Sequence, residues 1–208
     1  TRGSVYGDSI SGSIDSLIER VSNTFDGFNR LKRAERIKAG VRTQVEYSYN
    51  GDGLRVKKVV KKSDKGYVPD ITNYLYDRQH VILETDDYDN LKVRYIRGIN
   101  YIAREDEAGK QSYFLYNGHG DAVQTVSEAG VVENEYDYDI FGNSTLTIEE
   151  YHCGIRYAGE YLDVETGLYY LRARYYNPYT GRFISEDSYW GEDTNPLSLN
   201  LYTYCSND

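Results

Sequence analysis

These 208 residues predict an all-β fold, an array of antiparallel β-hairpins forming one curved or spiral sheet. Three features carry that prediction: a recurring tyrosine-and-turn motif, a second turn signal between its copies, and alternating polarity in the segments between turns.

The motif is an aromatic residue followed by Asp or Asn, two variable residues, and then Gly, Asn or His. It reads Phe25-Asp26-Gly27-Phe28-Asn29, Tyr49-Asn50-Gly51-Asp52-Gly53, Tyr76-Asp77-Arg78-Gln79-His80, Tyr116-Asn117-Gly118-His119-Gly120 and Tyr138-Asp139-Ile140-Phe141-Gly142. Shorter copies are Tyr95-Ile96-Arg97-Gly98 and Tyr157-Ala158-Gly159. Successive aromatics lie 19 to 27 residues apart, the phasing of a repeat architecture. The Asp or Asn can hydrogen-bond the backbone two residues on and start a turn. The closing residue is of a type that tolerates positive φ.

The second turn signal is Ser63-Asp64-Lys65-Gly66, Asp86-Asp87-Tyr88-Asp89-Asn90, Glu107-Ala108-Gly109 and Glu128-Ala129-Gly130. Turns then fall about every ten residues, as in a hairpin array. From Glu133 to Asp139 the acids occupy one strand face and Asn134, Tyr136 and Tyr138 the other. Helical spacing is confined to Ile14-Asp15-Ser16-Leu17-Ile18-Glu19-Arg20-Val21, enough for about two turns. Residues 1–22 are therefore open between a further repeat and a short helix.

Composition narrows the function. Tyrosine dominates the aromatics, with 24 copies against 5 Phe and 1 Trp. Its ring buries well but its hydroxyl needs a partner or water, which suits thin, two-sided sheets. The formal charge of -9, from 24 Lys+Arg against 33 Asp+Glu, argues against nucleic acid as a partner. No apolar run approaches the about 20 residues of a membrane span, and the polar opening Thr1-Arg2-Gly3-Ser4 is no signal peptide. Cys153 and Cys205 read as reduced thiols, with a disulfide between them left open; they are too few for a disulfide scaffold. His80, His119 and His152 are scattered, Gly118-His119-Gly120 is a hairpin turn rather than a phosphate cradle, and the acidic turn at Asp86 lacks calcium-loop spacing. No metal and no cofactor is expected. A hairpin array leaves raw sheet edges, so upstream repeats of a longer chain or a partner shell protein are expected to cover them.

The copies resemble the YD repeats of the RHS family, whose unit reads roughly Tyr-Asp-x-x-Gly-Arg-Leu. Asn29-Arg30-Leu31 closes one copy in that way, and Gly53-Leu54-Arg55 has the same elements in changed order. Further on, four stretches resemble the RHS-associated core domain. They are Arg156-Tyr157-Ala158-Gly159-Glu160-Tyr161-Leu162-Asp163, the run from Glu165 through Gly167-Leu168-Tyr169-Tyr170-Leu171-Arg172-Ala173-Arg174-Tyr175-Tyr176 to Pro178, Thr180-Gly181-Arg182-Phe183-Ile184-Ser185-Glu186-Asp187, and Asn200-Leu201-Tyr202-Thr203-Tyr204. The resemblance implies a repeat segment over 1–150 and a core domain over 151–208. Together these would form the wall and plug of a hollow β-shell in a secreted or cell-surface bacterial toxin. Its partners would be its own C-terminal effector, which it encapsulates, and an immunity protein for that effector.

The resemblance also implies an aspartyl autoprotease, in which two close carboxylates share one proton. The first aspartate maps to Asp187 in Asp187-Ser188-Tyr189-Trp190-Gly191, where Ser188 replaces the family's proline and one extra residue precedes Gly191. Arg182 is the candidate to hold a carboxylate ionised through a bidentate contact. The partner aspartate is expected beyond residue 208, with Asp208 itself belonging to that motif only in a shorter register. The competing reading is a surface adhesion module whose exposed tyrosines stack on carbohydrate.

Overall fold

A computed structural model of the chain describes residues 19–187 and 200–204. Twelve strands pair antiparallel in strict chain order. They are β1 Arg20–Phe25, β2 Leu31–Lys38, β3 Val41–Tyr49, β4 Arg55–Lys62, β5 Asp70–Asp77, β6 His80–Thr85, β7 Leu91–Arg97, β8 Tyr101–Asp106, β9 Gln111–Tyr116, β10 Ala122–Ser127, β11 Val132–Tyr138 and β12 Ser144–Glu149. The sheet does not close; β1 and β12 are its edges. A second sheet of four short strands follows: β13 Tyr161–Asp163, β14 Leu168–Leu171, β15 Arg174–Asn177 and β16 Arg182–Phe183.

The turns form as the sequence predicts, for a local reason. Asp26, Asn50, Asn117 and Asp139 each place Oδ1 on the backbone N–H two residues on and on the N–H four residues on. Asp86 and Asp106 do the same in the second set of turns. One side-chain oxygen thus satisfies two amides that a hairpin end leaves open.

Each motif turn opens beside a register shift. Phe25 pairs with Leu31, Tyr49 with Arg55, Tyr76 with Val81, Tyr116 with Ala122 and Tyr138 with Ser144, and one extra residue follows on the returning strand. A bulge bends its strand and raises the local twist, so repetition in phase curves the whole sheet. The motif hydroxyls tie successive hairpins together on the inner face. Tyr49 donates to the carbonyl of Leu31 (2.6 Å), Tyr76 to Arg55 (2.7 Å), Tyr116 to Tyr101 (2.9 Å) and Tyr138 to Ala122 (2.8 Å). Every acceptor is the first residue of the strand that returns from the preceding motif turn. That is why the position is tyrosine: phenylalanine fills the same volume but leaves this carbonyl without its donor.

The two sheets share one core. Val45, Tyr47, Val60, Tyr74, Val81, Tyr95, Phe114 and Tyr136 from the large sheet pack with Tyr161, Leu168, Tyr170 and Tyr175 from the small one. Among the described residues, hydrogen bonds then join the small sheet and its flanking segments to every motif turn but the one at 97–101. Asn29 donates to the Glu186 carbonyl, the Arg55 N–H to the Tyr170 hydroxyl, Arg172 to the Gln79 carbonyl, the Ala158 N–H to Asp121, and Asn143 to the Pro178 carbonyl. At the 139–143 turn, Tyr157, Tyr176 and Tyr169 donate to the carbonyls of Ile140, Phe141 and Gly142. Gly142 has φ +86°, and a Cβ there would sit 2.6 Å from the Tyr157 ring, so only glycine fits.

Several local expectations change. Arg20 and Val21 are strand, paired with Ile37 and Arg36, because β2 supplies a ladder that an isolated two-turn helix lacks; the rest of the expected helix up to Ile18 lies outside the described residues. The Tyr76 copy closes as a tighter hairpin, with the positive φ at Arg78 rather than His80, which already starts β6. In the Tyr95 copy the register puts Arg97, not Tyr95, in the motif-aromatic position opposite Tyr101. Tyr157-Ala158-Gly159 is a 3-10 turn outside the array. Glu133, read on one face with Glu135 and Asp137, is only 6% exposed, because it is the extra residue of a bulge between β10 and β11; its carboxylate meets Lys110 at 2.7 Å.

The hydroxyl ladder can be weighed directly. Tyr76→Phe and Tyr138→Phe should each lower the unfolding free energy by about 1–3 kcal/mol. Tyr113→Phe, whose hydroxyl reaches only the Gln111 side chain, should change it by less than about 0.5 kcal/mol. Urea unfolding followed by tyrosine fluorescence reads all three, and equal midpoints would remove the ladder from the account.

Candidate functional site: a buried charge seam between the sheets

The residue that follows a motif turn and pairs with the motif aromatic is Leu31, Arg55, Val81, Tyr101, Ala122 or Ser144 along the chain. One of these is charged. Arg55 opens β4 on the inner face with no accessible surface, and Lys58 follows on the same face. Opposite them, the β13–β14 hairpin turns at Asp163, whose carbonyl accepts from the Thr166 and Gly167 amides. That turn aims Asp163 and Glu165 at β4.

The four charges satisfy each other. Arg55 Nη1 lies 2.5 Å from Asp163 Oδ2, and both side chains are fully buried. Lys58 Nζ bridges Asp163 Oδ1 at 3.3 Å and Glu165 Oε2 at 3.1 Å. The Tyr47 hydroxyl adds a third donor to Asp163 at 3.1 Å. Around Arg55 stands a cage of rings, its guanidinium carbon 4.4 Å from the Tyr170 centroid, 4.6 Å from Tyr74 and 5.1 Å from Tyr161. Nε and Nη2 have no hydrogen-bond acceptor among the described residues. They face the ring π-clouds, whose quadrupoles stabilise a desolvated cation.

Burial, the largest influence on the Asp163 carboxyl, pushes its pKa up, but Arg55 and Lys58 outweigh it and hold the group below its usual 3.8. Burial likewise pushes Tyr74 up to about 12, so its hydroxyl stays protonated at neutral pH. Two further loci extend the seam. Glu84 accepts from Tyr95 at 2.8 Å and from Tyr161 of the small sheet at 3.0 Å. Arg156, on the link between the sheets, stacks 3.6 Å over Tyr136 and reaches Glu149 at 2.6 Å. Cys153 beside it is a buried free thiol, raised by burial to about 11. The Arg55, Lys58, Asp163 and Glu165 charges are largely buried and paired with one another, so their chemistry is adhesion between two layers.

Asp187 and Arg182 lie elsewhere, where the chain after β16 runs beside residues 201–203. The Asp187 carboxylate meets Arg174 Nη2 at 2.7 Å, and its amide donates to the Leu201 carbonyl. Arg174 stacks 3.6 Å over Phe183. Arg182 is exposed, pairs with Asn177 and bridges to Thr203. The cation brought to Asp187 is therefore Arg174 from β15, placed there by the β15–β16 pairing. Ser188 to Gly191 and Asp208 lie outside the described residues. Among the described residues no group of His, Cys, Asp and Glu is arranged to hold a metal, and no helix is long and apolar enough to cross a membrane.

The crystal structure of TcdB2-TccC3-Cdc42 superposes on 91% of this chain and 10% of its own with a TM-score of 0.70, at 23% identity. This chain therefore shares the fold of a segment of the TcdB2–TccC3 chain. No family model matches it. In sequence it is similar to the tRNA(Glu)-specific nuclease WapA of Bacillus subtilis subsp. natto, 38% identical over 168 residues, 78% of this chain and 7% of that protein. It is also similar to toxin protein Tse5 of Pseudomonas aeruginosa, 46% identical over 57 residues, 26% of this chain and 4% of that protein. The matched segment is thus a small fraction of each relative. These likenesses join the chain in sequence to segments of a nuclease and a toxin, and in fold to part of a toxin complex.

Arg55, Lys58, Glu84, Asp163 and Arg156 carry the seam, and sequence reasoning did not single them out. For Arg55, Lys58, Glu84 and Asp163 the signal was an ionic residue at an inward strand position, legible only once the strand pairing is known.

Removing one partner of a buried pair strands the other, so Asp163→Ala should cost about 3–5 kcal/mol. In a double-mutant cycle, adding Arg55→Met should cost far less in that background than alone. The native pKa is depressed, so the Asp163 contribution is complete above the unfolded value of about 3.9 and is lost as pH falls through the lower native value. The gap between wild type and Asp163→Asn should therefore be flat from about pH 5 to 8 and shrink only below about pH 4. Denaturant titrations across that range check the sign.

Proposed function

We propose that the chain is a closing segment of an RHS/YD-repeat toxin shell, with residues 1–150 as wall and residues 151–208 as the core domain that plugs it. The observation that carries this reading is the row of hydrogen bonds between five of the six motif turns and the small sheet with its flanking segments. A sheet that curves and has one rim covered by its own following segment is built to enclose. The cargo on this reading is an effector encoded after the core domain and secreted with the shell, with an immunity protein in the producing cell. Likeness to WapA and Tse5 supports a toxin context.

The same reading assigns Asp187 to an aspartyl autoprotease, with Arg174 rather than Arg182 as the cation beside it and the second carboxylate downstream. The adhesion alternative keeps fewer rings than the sequence suggests, since Tyr47, Tyr74, Tyr95 and Tyr136 are buried while Tyr88 and Tyr179 remain exposed.

Residues 1–208 alone should remain intact by mass spectrometry, whereas the chain extended through its native downstream sequence should release a C-terminal fragment, and Asp187→Asn should abolish that release. Scission within 1–208 that Asp187→Asn prevents would refute the half-site assignment. For enclosure, the effector in the complete parent protein should resist added protease and become sensitive in Asp163→Ala. An effector equally sensitive in both would sink the shell reading.

A further inference from the structure

Two motif turns place asparagine directly before glycine, Asn50-Gly51 and Asn117-Gly118. In the first, Asn50 Oδ1 accepts from the amides of Asp52 (3.1 Å) and Leu54 (2.9 Å). The Asn50 amide donates to the Leu54 carbonyl and the Gly53 amide to the Asn50 carbonyl. The Gly51 amide is then the one N–H of the turn with no acceptor among the described residues, and Gly51 is exposed. Two N–H donors polarise the side-chain carbonyl and are aimed where negative charge would develop on Oδ1, the logic of an oxyanion hole. The nearest backbone nitrogen is unencumbered.

We propose that Asn50 is a site of spontaneous deamidation, which the turn itself promotes. The Gly51 nitrogen, losing its proton to solvent base, attacks Asn50 Cγ and forms a C–N bond. The Cγ–Nδ2 bond breaks and ammonia departs, leaving a five-membered succinimide. Water then opens the ring at either carbonyl, giving aspartate or isoaspartate. No oxidant or other co-reactant takes part.

The Asn117 turn is an internal control. Its Oδ1 accepts from His119 and Asp121 at 3.0 Å each, as in the first turn, and Gly118 is equally exposed. The difference is the leaving nitrogen: Asn117 Nδ2 donates to Asp121 Oδ2 at 2.7 Å, whereas Asn50 Nδ2 has no partner among the described residues. Burial, the largest influence on Asp121, raises its pKa, but hydrogen bonds from Ala158, His119 and Asn117 prevail and hold it low. An ionised acceptor keeps electron density on the amide nitrogen and cannot protonate it as it leaves. Asn117 therefore reacts more slowly.

The products differ in consequence. Aspartate at position 50 matches Asp26 and Asp139, which build the same turn. Isoaspartate routes the main chain through Cβ and leaves a pendant α-carboxylate in place of the side-chain carbonyl that held the turn, one pairing away from Tyr49 and Arg55. It would loosen the hairpin end that presents Arg55 to Asp163.

The folded chain, incubated at neutral pH and sampled over time, tests this by peptide mapping with incorporation of heavy-oxygen water and an isoaspartate-specific fragmentation. Acid product at position 50 should accumulate about tenfold faster than at 117, the factor that one charge-assisted hydrogen bond on the leaving nitrogen is worth. Gly51→Ala, which has open space for its Cβ and no positive φ, should slow position 50, and Asp121→Asn should speed position 117. The urea-unfolded chain should show the two sites at similar rates, with Asn50 slower than in the fold. Equal rates at both sites in the folded chain, or an Asn50 that folding protects, would overturn the proposal.

Discussion

Arg55 and Asp163 are the contact on which the relation between the two sheets depends. Taking two ions fully out of water costs several kcal/mol each, and their attraction offsets this only when the remaining donors and acceptors are matched. Here Lys58, Glu165, Tyr47 and Tyr175 do the matching, and the faces of Tyr74, Tyr161 and Tyr170 close the rest. Such a network adds less net stability than an apolar core of equal volume would. Its value lies in selection: the small sheet can seat in one register, because any slip strands buried charge. A greasy interface would tolerate sliding.

Tyrosine makes the rest of the architecture workable. A twelve-stranded antiparallel sheet needs curvature to present a concave face, and the bulge beside each motif turn supplies it. At Leu31, Arg55, Tyr101 and Ala122 the bulge disturbs the ladder near one carbonyl, and the next motif tyrosine donates its hydroxyl there. Ring and hydroxyl thus serve curvature and packing together. The three tyrosines over the 139–143 turn use the same chemistry in reverse, Tyr169 and Tyr176 from the small sheet and Tyr157 from the segment before it reaching to the large sheet. A chain with 24 Tyr and 5 Phe is what this construction demands.

Legibility followed the range of the interaction. The turns at Asp26, Asn50, Asn117 and Asp139 were readable because each is satisfied by groups no more than four residues away. Tyr76 and Tyr95 misled because the closing position was inferred from residue type, whereas the pairing of Tyr76 with Val81 and of Arg97 with Tyr101 sets the phase. Arg182 looked like the partner of Asp187 by proximity in sequence. The antiparallel pairing of β15 with β16 brought Arg174 there instead.

The sequence by itself determined that this protein is a tyrosine-tied array of hairpins, because the turn chemistry and alternation that specify a hairpin are local. Only the tertiary structure decided which charges are buried, since Arg55 and Asp163 stand 108 residues apart. Nothing in either neighbourhood marks the other. Burial of a charge is a property of the pair and of the rings around it, and those meet only when the small sheet folds back onto the large one.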